Sequence, residues 1–399
     1  MYPTLYDMFL DLFGLSIPFL RVVQSFGFFV AISFVLAYIT MSSELKRKEK
    51  LGLIKSQKVK TLMGKPYAKQ EYVVSALMGF LLGYKIVPVL IFSSNMDDPR
   101  SFLLSTEGYP ILGFALAVAM VLYKRYEDKK QQLHPPVEKD ITVRPHHHMS
   151  NLTMVAAITG LLGAKIFHNL ENWSYFISNP IDALFSFSGL TFFGGLICGG
   201  AGVLWYANKK GIKPLHMLDV GAPAMMLAYA SGRIGCHVSG DGDWGIVNTA
   251  DKPSWLSWAP DWFWAYNYPN NVNQQCNPYV EGSTEYIENR FCNFEETPYL
   301  IANVFPTPLY EILVCGLFFG LLWFLRKRIN IPGMLFGIYM ILAGFERFWI
   351  EKIRVNTLID FLGMQVTQAE IISTLMMLLG IAMIVYTKKR HTAILNKTA

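Results

Sequence analysis

The chain has 399 residues, of which 52% are hydrophobic and 16% charged, with a net charge of +6. Soluble domains carry about 25% charged residues, so this balance excludes an ordinary soluble protein. The lysines and arginines cluster in loops between apolar runs, so the positive charge points to membrane topology and gives no reason to expect a nucleic-acid partner.

Apolar runs of about 18 or more residues mark transmembrane helices. The sequence predicts an all-α polytopic membrane protein with nine spans, near 17–41, 72–94, 109–125, 152–171, 187–207, 215–235, 307–325, 333–352 and 367–387. The whole chain, 1–399, reads as one membrane domain. Basic loops follow every odd-numbered span: Lys46 to Lys60, Lys124 to Lys130, Lys209 to Lys213, Arg326 to Arg328 and Lys388 to Arg390. The positive-inside rule then puts the N-terminus outside and the C-terminus in the cytoplasm. The first span lacks a basic leader and a small-residue cleavage site, which predicts a retained helix.

In spans two and four, Leu81-Leu82-Gly83-Tyr84-Lys85-Ile86 is echoed by Leu161-Leu162-Gly163-Ala164-Lys165-Ile166. Each is followed by a glycine-bearing span, so residues 72–125 are expected to be an extra, duplicated helical hairpin. The polar stretch 126–150, with His146, His147 and His148, is read as a solvated linker. The long segment 236–305 is read as an external loop or cap, with Trp255, Trp258, Trp262, Trp264, Tyr266 and Tyr268 suited to the headgroup layer. Cys276 and Cys292 within it are candidates for a disulfide in an oxidising compartment. Cys198 and Cys315 read as packing residues.

Four polar groups lie at or inside spans. Lys165, His168 and Asn169 share one helix face, with Glu171 beside them; they could equally snorkel to the interface. Gly194 and Gly195 could let a lipid headgroup approach the backbone or simply let helices pack closely. Arg233 comes near the end of span six and is followed by Cys236, His237, Ser239, Gly240, Asp241, Gly242, Asp243 and Gly245. An arginine at membrane depth costs roughly 2.5–3.5 kcal/mol on insertion scales, and its forked donors match a phosphate. Glycine N–H groups could hold an anion, and either aspartate could take a proton or orient Arg233. Arg347, Glu351 and Arg354 fall at i, i+4 and i+7 in span eight and are expected on one helix face; Glu311 sits one turn into span seven. All four groups map to the outer half of the membrane, which suits an enzyme acting on an anionic phospholipid.

These segments resemble the phosphatidylglycerol–prolipoprotein diacylglyceryl transferase family. Its arginine signature is similar to Gly232-Arg233-Ile234-Gly235 through Gly240-Asp241 and Trp244-Gly245. Its Gly-Gly-Leu-Ile, Leu-Tyr-Glu and Arg-x-x-x-Glu-x-x-Arg segments are similar to Thr191–Ile197, Leu309-Tyr310-Glu311 and Arg347 to Arg354, and its first-span motif to Ser25-Phe26-Gly27. The chain departs at Phe193, where the family often has His, at Cys236, where Asn is usual, and at Ala343, where Tyr is usual.

The resemblance implies transfer of diacylglyceryl from phosphatidylglycerol to the lipobox cysteine thiol of a preprolipoprotein. It implies a bacterial cytoplasmic membrane location with the site toward the periplasm, and no metal or other cofactor. Expected catalytic residues are Arg233, Asp241, Arg347, Glu351 and His237. Arg233 would grip the lipid phosphate, Arg347 would stabilise the leaving group, and Glu351 or Asp241 would take the thiol proton or order the arginines, with His237 the alternative base. Expected substrate-binding residues are Arg233, Gly194, Gly195, Ser239, Gly240, Glu311 and Arg354. Expected partners are phosphatidylglycerol, the lipobox signal peptide and membrane lipids. The departures leave open an inactive relative that binds lipid or signal peptides. A transporter with a charged midplane site is a third reading; the parallel sense of the repeat and the outward position of the charges count against it.

Overall fold

The computed structural model describes residues 1–92, 99–133, 137–185, 191–276, 300, 302–356, 358–361 and 363–398. After a short amphipathic helix, α1 (Leu5–Phe13), come α2 (Ser25–Lys50), α3 (Lys69–Phe92), α4 (Pro110–Gln131), α5 (Met149–Glu171) and α6 (Phe192–Lys209). They are followed by α7 (Pro214–Ser239), α8 (Thr307–Leu325), α9 (Met334–Glu351) and α10 (Gln368–Thr398). Among the described residues, five helical segments are long and apolar enough to cross a membrane: α2, α3, Pro145–Glu171, α8 and Gln368–Ala393. The protein is therefore a polytopic membrane protein. α9 carries Glu346, Arg347 and Glu351 within its 18 residues, and such a helix needs protein or water around its polar side.

Two expectations need correcting. The fold is mostly helical but not all-α: β1 (Gln57–Met63) pairs antiparallel with β2 (Val137–Val143), and β3 (Leu358–Phe361) with β4 (Met364–Thr367). The described residues of 126–150 are accordingly more than a linker, although most of β2 is solvent-exposed. They supply the end of α4, all of β2 and a 3-10 turn, Pro145–His148, in which His148 is buried. The composition read as polar loop, but register with a second polar strand satisfies its backbone groups. The first span also starts later than expected, at Ser25, because Pro18–Val22 forms a separate 3-10 turn.

The two hairpins close in the same way. A Cβ on Gly83 would lie 2.3 Å from Leu112 O, and one on Gly163 would lie 2.5 Å from Gly194 O. Only hydrogen fits there, so glycine lets the backbones touch. Next to each contact the residue leading into the second helix donates to a carbonyl inside the first: Tyr109 N to Tyr84 O, and Thr191 N to Ala164 O, both at 3.1 Å. The β1–β2 ribbon forms the base of the α3–α4 hairpin, with Leu133 N donating to Gly64 O.

The central helix is α7. It packs against α2, α6, α8 and α9. Pro214 starts it with φ already helical, and Gly240, at φ +65°, ends it in the left-handed region. Near its start, Met217 and Val220 join Leu45, Ile54, Met149, Leu152, Ala207 and Ile212 in one core. Further along, Ala222, Met226 and Ala230 pack with Cys315, Leu322 and Leu335. This tight jacket fixes the position of the polar residues that follow.

Candidate active site

The site forms where α7 ends, α8 begins and α9 ends. The helical periodicity of α7 continues to Ser239, so Gly235, Cys236 and His237 are helical, and Arg233 lies nearly two turns inside the helix. Gly235 is helical because it faces α2, where a Cβ would press on Phe26 at 3.0 Å. The loop proper runs from Gly240 to Gly245. A Cβ on Gly245 would lie 2.3 Å from Ile353 O and 2.9 Å from Phe305 Cβ, so glycine is needed for three chain segments to meet. They are stitched together by Gly245 N donating to Phe305 O at 2.8 Å and Ile246 N to Ile353 O at 2.9 Å.

That junction corrects the expectation for Arg354. It is not on a face of α9, which ends at Glu351; a turn follows, and Arg354 bridges to Gly245 as an isolated β-pair. The i, i+4, i+7 spacing was helical, but the turn brings Arg354 back by another route.

Three arginines and a buried carboxylate meet here. Glu311 is 0% exposed. Its oxygens lie 2.9 Å from Arg233 Nε, 3.3 Å from Arg354 Nη1 and 3.9 Å from Arg347 Nη1, and Tyr229 OH donates to it at 3.2 Å. Asp243 bridges two of the same cations: one oxygen pairs with Arg233 Nη1, and the other lies 2.5 Å from Arg354 Nη2. Arg347 also pairs with Glu351 at 2.8 Å, and Asn356 Nδ2 donates to Glu351 at 2.6 Å. Thr307 Oγ1 donates to Asp243 O at 2.7 Å, which ties the loop to the start of α8.

Burial alone would raise the Asp243 pKa, but Arg354 and Arg233 outweigh it and hold the carboxyl below the ordinary carboxylate range. Asp241 behaves oppositely. Burial, reinforced by the Asp243 charge, raises it. Two aspartates two residues apart are thus driven in opposite directions, one held as the counter-ion of two arginines and the other given a raised affinity for a proton. The ligand atoms of Cys236, Asp241 and Asp243 lie within 4.8 Å of one another. The arginines already engage Asp243, and a thiol backed by two carboxylates is no complete metal site.

Of the residues expected in the site, Arg233, Glu311, Arg347, Glu351 and Arg354 come together, with Asp241 beside Asp243. His237 turns elsewhere: its Nδ1 lies 3.2 Å from Tyr268 OH, among the aromatic rings of the cap. Ser239 and Gly240 form the helix end beneath Asn271, and Ser239 O accepts from Val272 N at 2.9 Å. Gly194 and Gly195 face α5, against Gly163 and Gly160, so their small size serves helix packing. Glu171 accepts from Thr191 Oγ1 at 2.8 Å, and His168 bonds Asn172, so this group joins the α5–α6 hairpin. Residues that the sequence did not assign are Tyr229, Glu346, Thr307 and Asn356. Tyr229 had a signal, since it lies one turn before Arg233, whose guanidinium sits 4.9 Å from its ring. Asn356 had none.

The cap covers one side. Trp244, Tyr268, Leu300 and Val304 form its core, joined by Met1 and Tyr266. Tyr266 and Tyr268 are therefore core residues rather than headgroup anchors, whereas Trp255, Trp258 and Trp262 are exposed. Cys276 is disulfide-bonded, and Cys292 lies outside the described residues.

Residues 109–386 match the family model described as prolipoprotein diacylglyceryl transferase. Curated proteins named phosphatidylglycerol–prolipoprotein diacylglyceryl transferase from Streptococcus pyogenes serotype M5 (strain Manfredo), serotype M49 (strain NZ131) and serotype M1 are each 27% identical to the chain over 241 residues. That alignment covers 59% of this chain and 78% of each relative.

Proposed function

This chain belongs to the prolipoprotein diacylglyceryl transferase family, and from that premise we propose that it moves diacylglyceryl from phosphatidylglycerol to the lipobox cysteine thiol of a preprolipoprotein. It is a membrane-embedded transferase. The proposed setting is the bacterial cytoplasmic membrane, with the arginine cluster toward the periplasmic face, away from the basic loops.

The reaction is a displacement at carbon. The thiol sulfur forms a C–S bond to the glyceryl carbon, the C–O bond to phosphate breaks, and glycerol phosphate leaves with the electron pair. The thiol proton goes to a base. A free thiol titrates near about 8.5, so it is mostly protonated at neutral pH. Negative charge gathers on the departing phosphate and calls for cations already in place.

The observation that carries this reading is the sharing of Glu311 by Arg233, Arg347 and Arg354. Those pairs hold three guanidinium groups from two helices and a turn at one depth. Arg233 and Arg354 are tied down twice each, through Asp243 and Glu311, and keep the geometry rigid. The Arg347 side chain is 29% exposed and that of Asp243 34%. Lipid phosphate is assigned to this open edge, against Arg347 and Arg233, while Asp243 and Glu311 keep hold of Arg233 and Arg354. Arg347 then follows the charge onto the leaving group. Asp241 is assigned the thiol proton, because its raised affinity for protons suits a base. Its contact with Tyr268 makes His237 a lesser choice, and Glu351 serves to orient Arg347.

The test is a membrane assay with phosphatidylglycerol and a lipobox peptide. Arg233→Ala is expected to abolish transfer while the protein still accumulates in membranes. Normal turnover by that variant rejects the assignment.

A further inference from the structure

A second cationic site lies at the opposite, basic end of the bundle, far along α2 and α8 from the arginine cluster. A cavity of 590 Å³ opens there between the last turns of α2 and α8, lined by Tyr38, Ile39, Ser42, Ser43, Lys46, Arg47, Lys50, Arg326 and Lys327. Five of those nine residues are cations and none is an anion.

The cavity is built around a buried carboxylate. Glu44 is fully buried; it accepts from Arg47 at 2.9 and 2.6 Å and from Arg326 at 2.6 Å. Arg326 is itself buried, donates to Trp323 O at 3.1 Å and lies over the Trp323 ring. One negative charge thus orders two guanidinium groups from two helices, and their remaining donors need no reorganisation to meet an anion. Among the described residues, Lys46, Lys50 and Lys327 have no carboxylate within ion-pair distance. Locally, five positive charges face one negative charge.

The position identifies the anion. The cavity sits where an apolar helix gives way to basic residues, a transition that marks the lipid headgroup level in membrane helices. Its wall changes from Ser42 and Ser43 to Tyr38 and Ile39, and one turn deeper on the same face of α2 Phe34 and Val35 are exposed. A soluble anion has no use for such an apolar track, whereas acyl chains do. Charges needed only to set topology would require neither a cavity nor a buried carboxylate to order them.

We propose that this cavity binds the phosphate of an anionic phospholipid from the leaflet at the basic end of the bundle, with the headgroup among Lys46, Arg47, Lys50, Arg326 and Lys327 and an acyl chain along Tyr38, Ile39, Phe34 and Val35. The site is separate from the arginine cluster and stands or falls independently of the transfer reaction.

The test is native mass spectrometry of the intact protein titrated with dioleoyl-phosphatidylserine or dioleoyl-phosphatidylcholine. The variants are Lys46→Gln/Lys50→Gln/Lys327→Gln, which leaves the Glu44 pairs in place, and Lys388→Gln/Lys389→Gln/Arg390→Gln, which removes three exposed charges outside the cavity. Each lysine near a charged surface contributes roughly a factor of five, so the cavity variant should retain phosphatidylserine about 100-fold less well. The control variant should keep that adduct, phosphatidylcholine should show no such difference, and equimolar inorganic phosphate should not displace the lipid. Undiminished adduct in the cavity variant, an equal loss in the control variant, or displacement by phosphate each overturns the proposal.

Discussion

The central helix α7 carries a charged network at each end, and the two differ in kind. Near its start, Asp219 pairs with Lys48 at 3.3 Å and accepts from the backbone of Gly333 at 2.9 Å and Phe336 at 3.1 Å. One anion meets one cation, both side chains are nearly inaccessible, and every bond joins one helix to another. Near its end, three arginines are divided among Glu311, Asp243 and Glu351, and the edge formed by Arg347 and Asp243 stays open. Only the second is singled out by the sequence. Closure and one-to-one pairing mark a bolt between helices; an accessible edge with several cations marks a place for an incoming anion.

The sharpest way to break this contrast is to exchange the expected outcomes. Arg347→Ala is expected to lower transfer by roughly 100- to 1000-fold, the loss typical of a single charge-stabilising donor, with little change in thermal unfolding. Asp219→Asn should do the reverse: it strands Lys48 in a buried position and costs about 3–5 kcal/mol of stability, while transfer per folded molecule holds. A stable but inactive Asp219→Asn protein would dissolve the distinction. A smaller effect is expected at the junction. Gly245→Ala pushes a methyl into Ile353 O and should loosen Arg354, lowering transfer by about tenfold, measured as kcat against unchanged expression.

The pH profile sharpens the assignment of the base. A base works only when deprotonated, so activity should fall as pH drops through the raised pKa of Asp241. That limb should lie above the ordinary carboxylate range and vanish in Asp241→Asn. Asp243, held low by its arginines, should contribute no limb in the same range. The smallest effect belongs to the α3–α4 hairpin. Gly83→Leu should open the α3–α4 seam, seen as faster proteolysis of that hairpin, with transfer unchanged, since its glycine contact lies within the hairpin.

The family was legible because its polar residues are costly in lipid and therefore sparse. Arg233, Glu311 and Arg347 stand out against apolar neighbours with no structure needed, and the six-residue echo falls on the glycines where each of two hairpins closes. Other features were hidden for definable reasons. The ribbon β1–β2 pairs residues about 80 positions apart in two polar stretches with no apolar alternation to reveal them. His237 follows Arg233 at i+4 and seemed bound to share its task, but Tyr268 of the cap claims its ring. Gly194 and Gly195 look the same in sequence whether they face a ligand or a helix, and here the facing backbone is that of α5.

Hydropathy and charge bias along the chain determine that this protein lives in a membrane, where its helices run and which residues are out of place among them, because water-to-lipid transfer acts on each segment separately. Folding in three dimensions decided that Arg354 leaves its helix to meet Asp243, that one carboxylate serves three guanidinium groups, and which of two aspartates gains affinity for a proton. Those outcomes depend on distances between segments far apart in the chain, and electrostatic energy depends on distance and burial rather than on order.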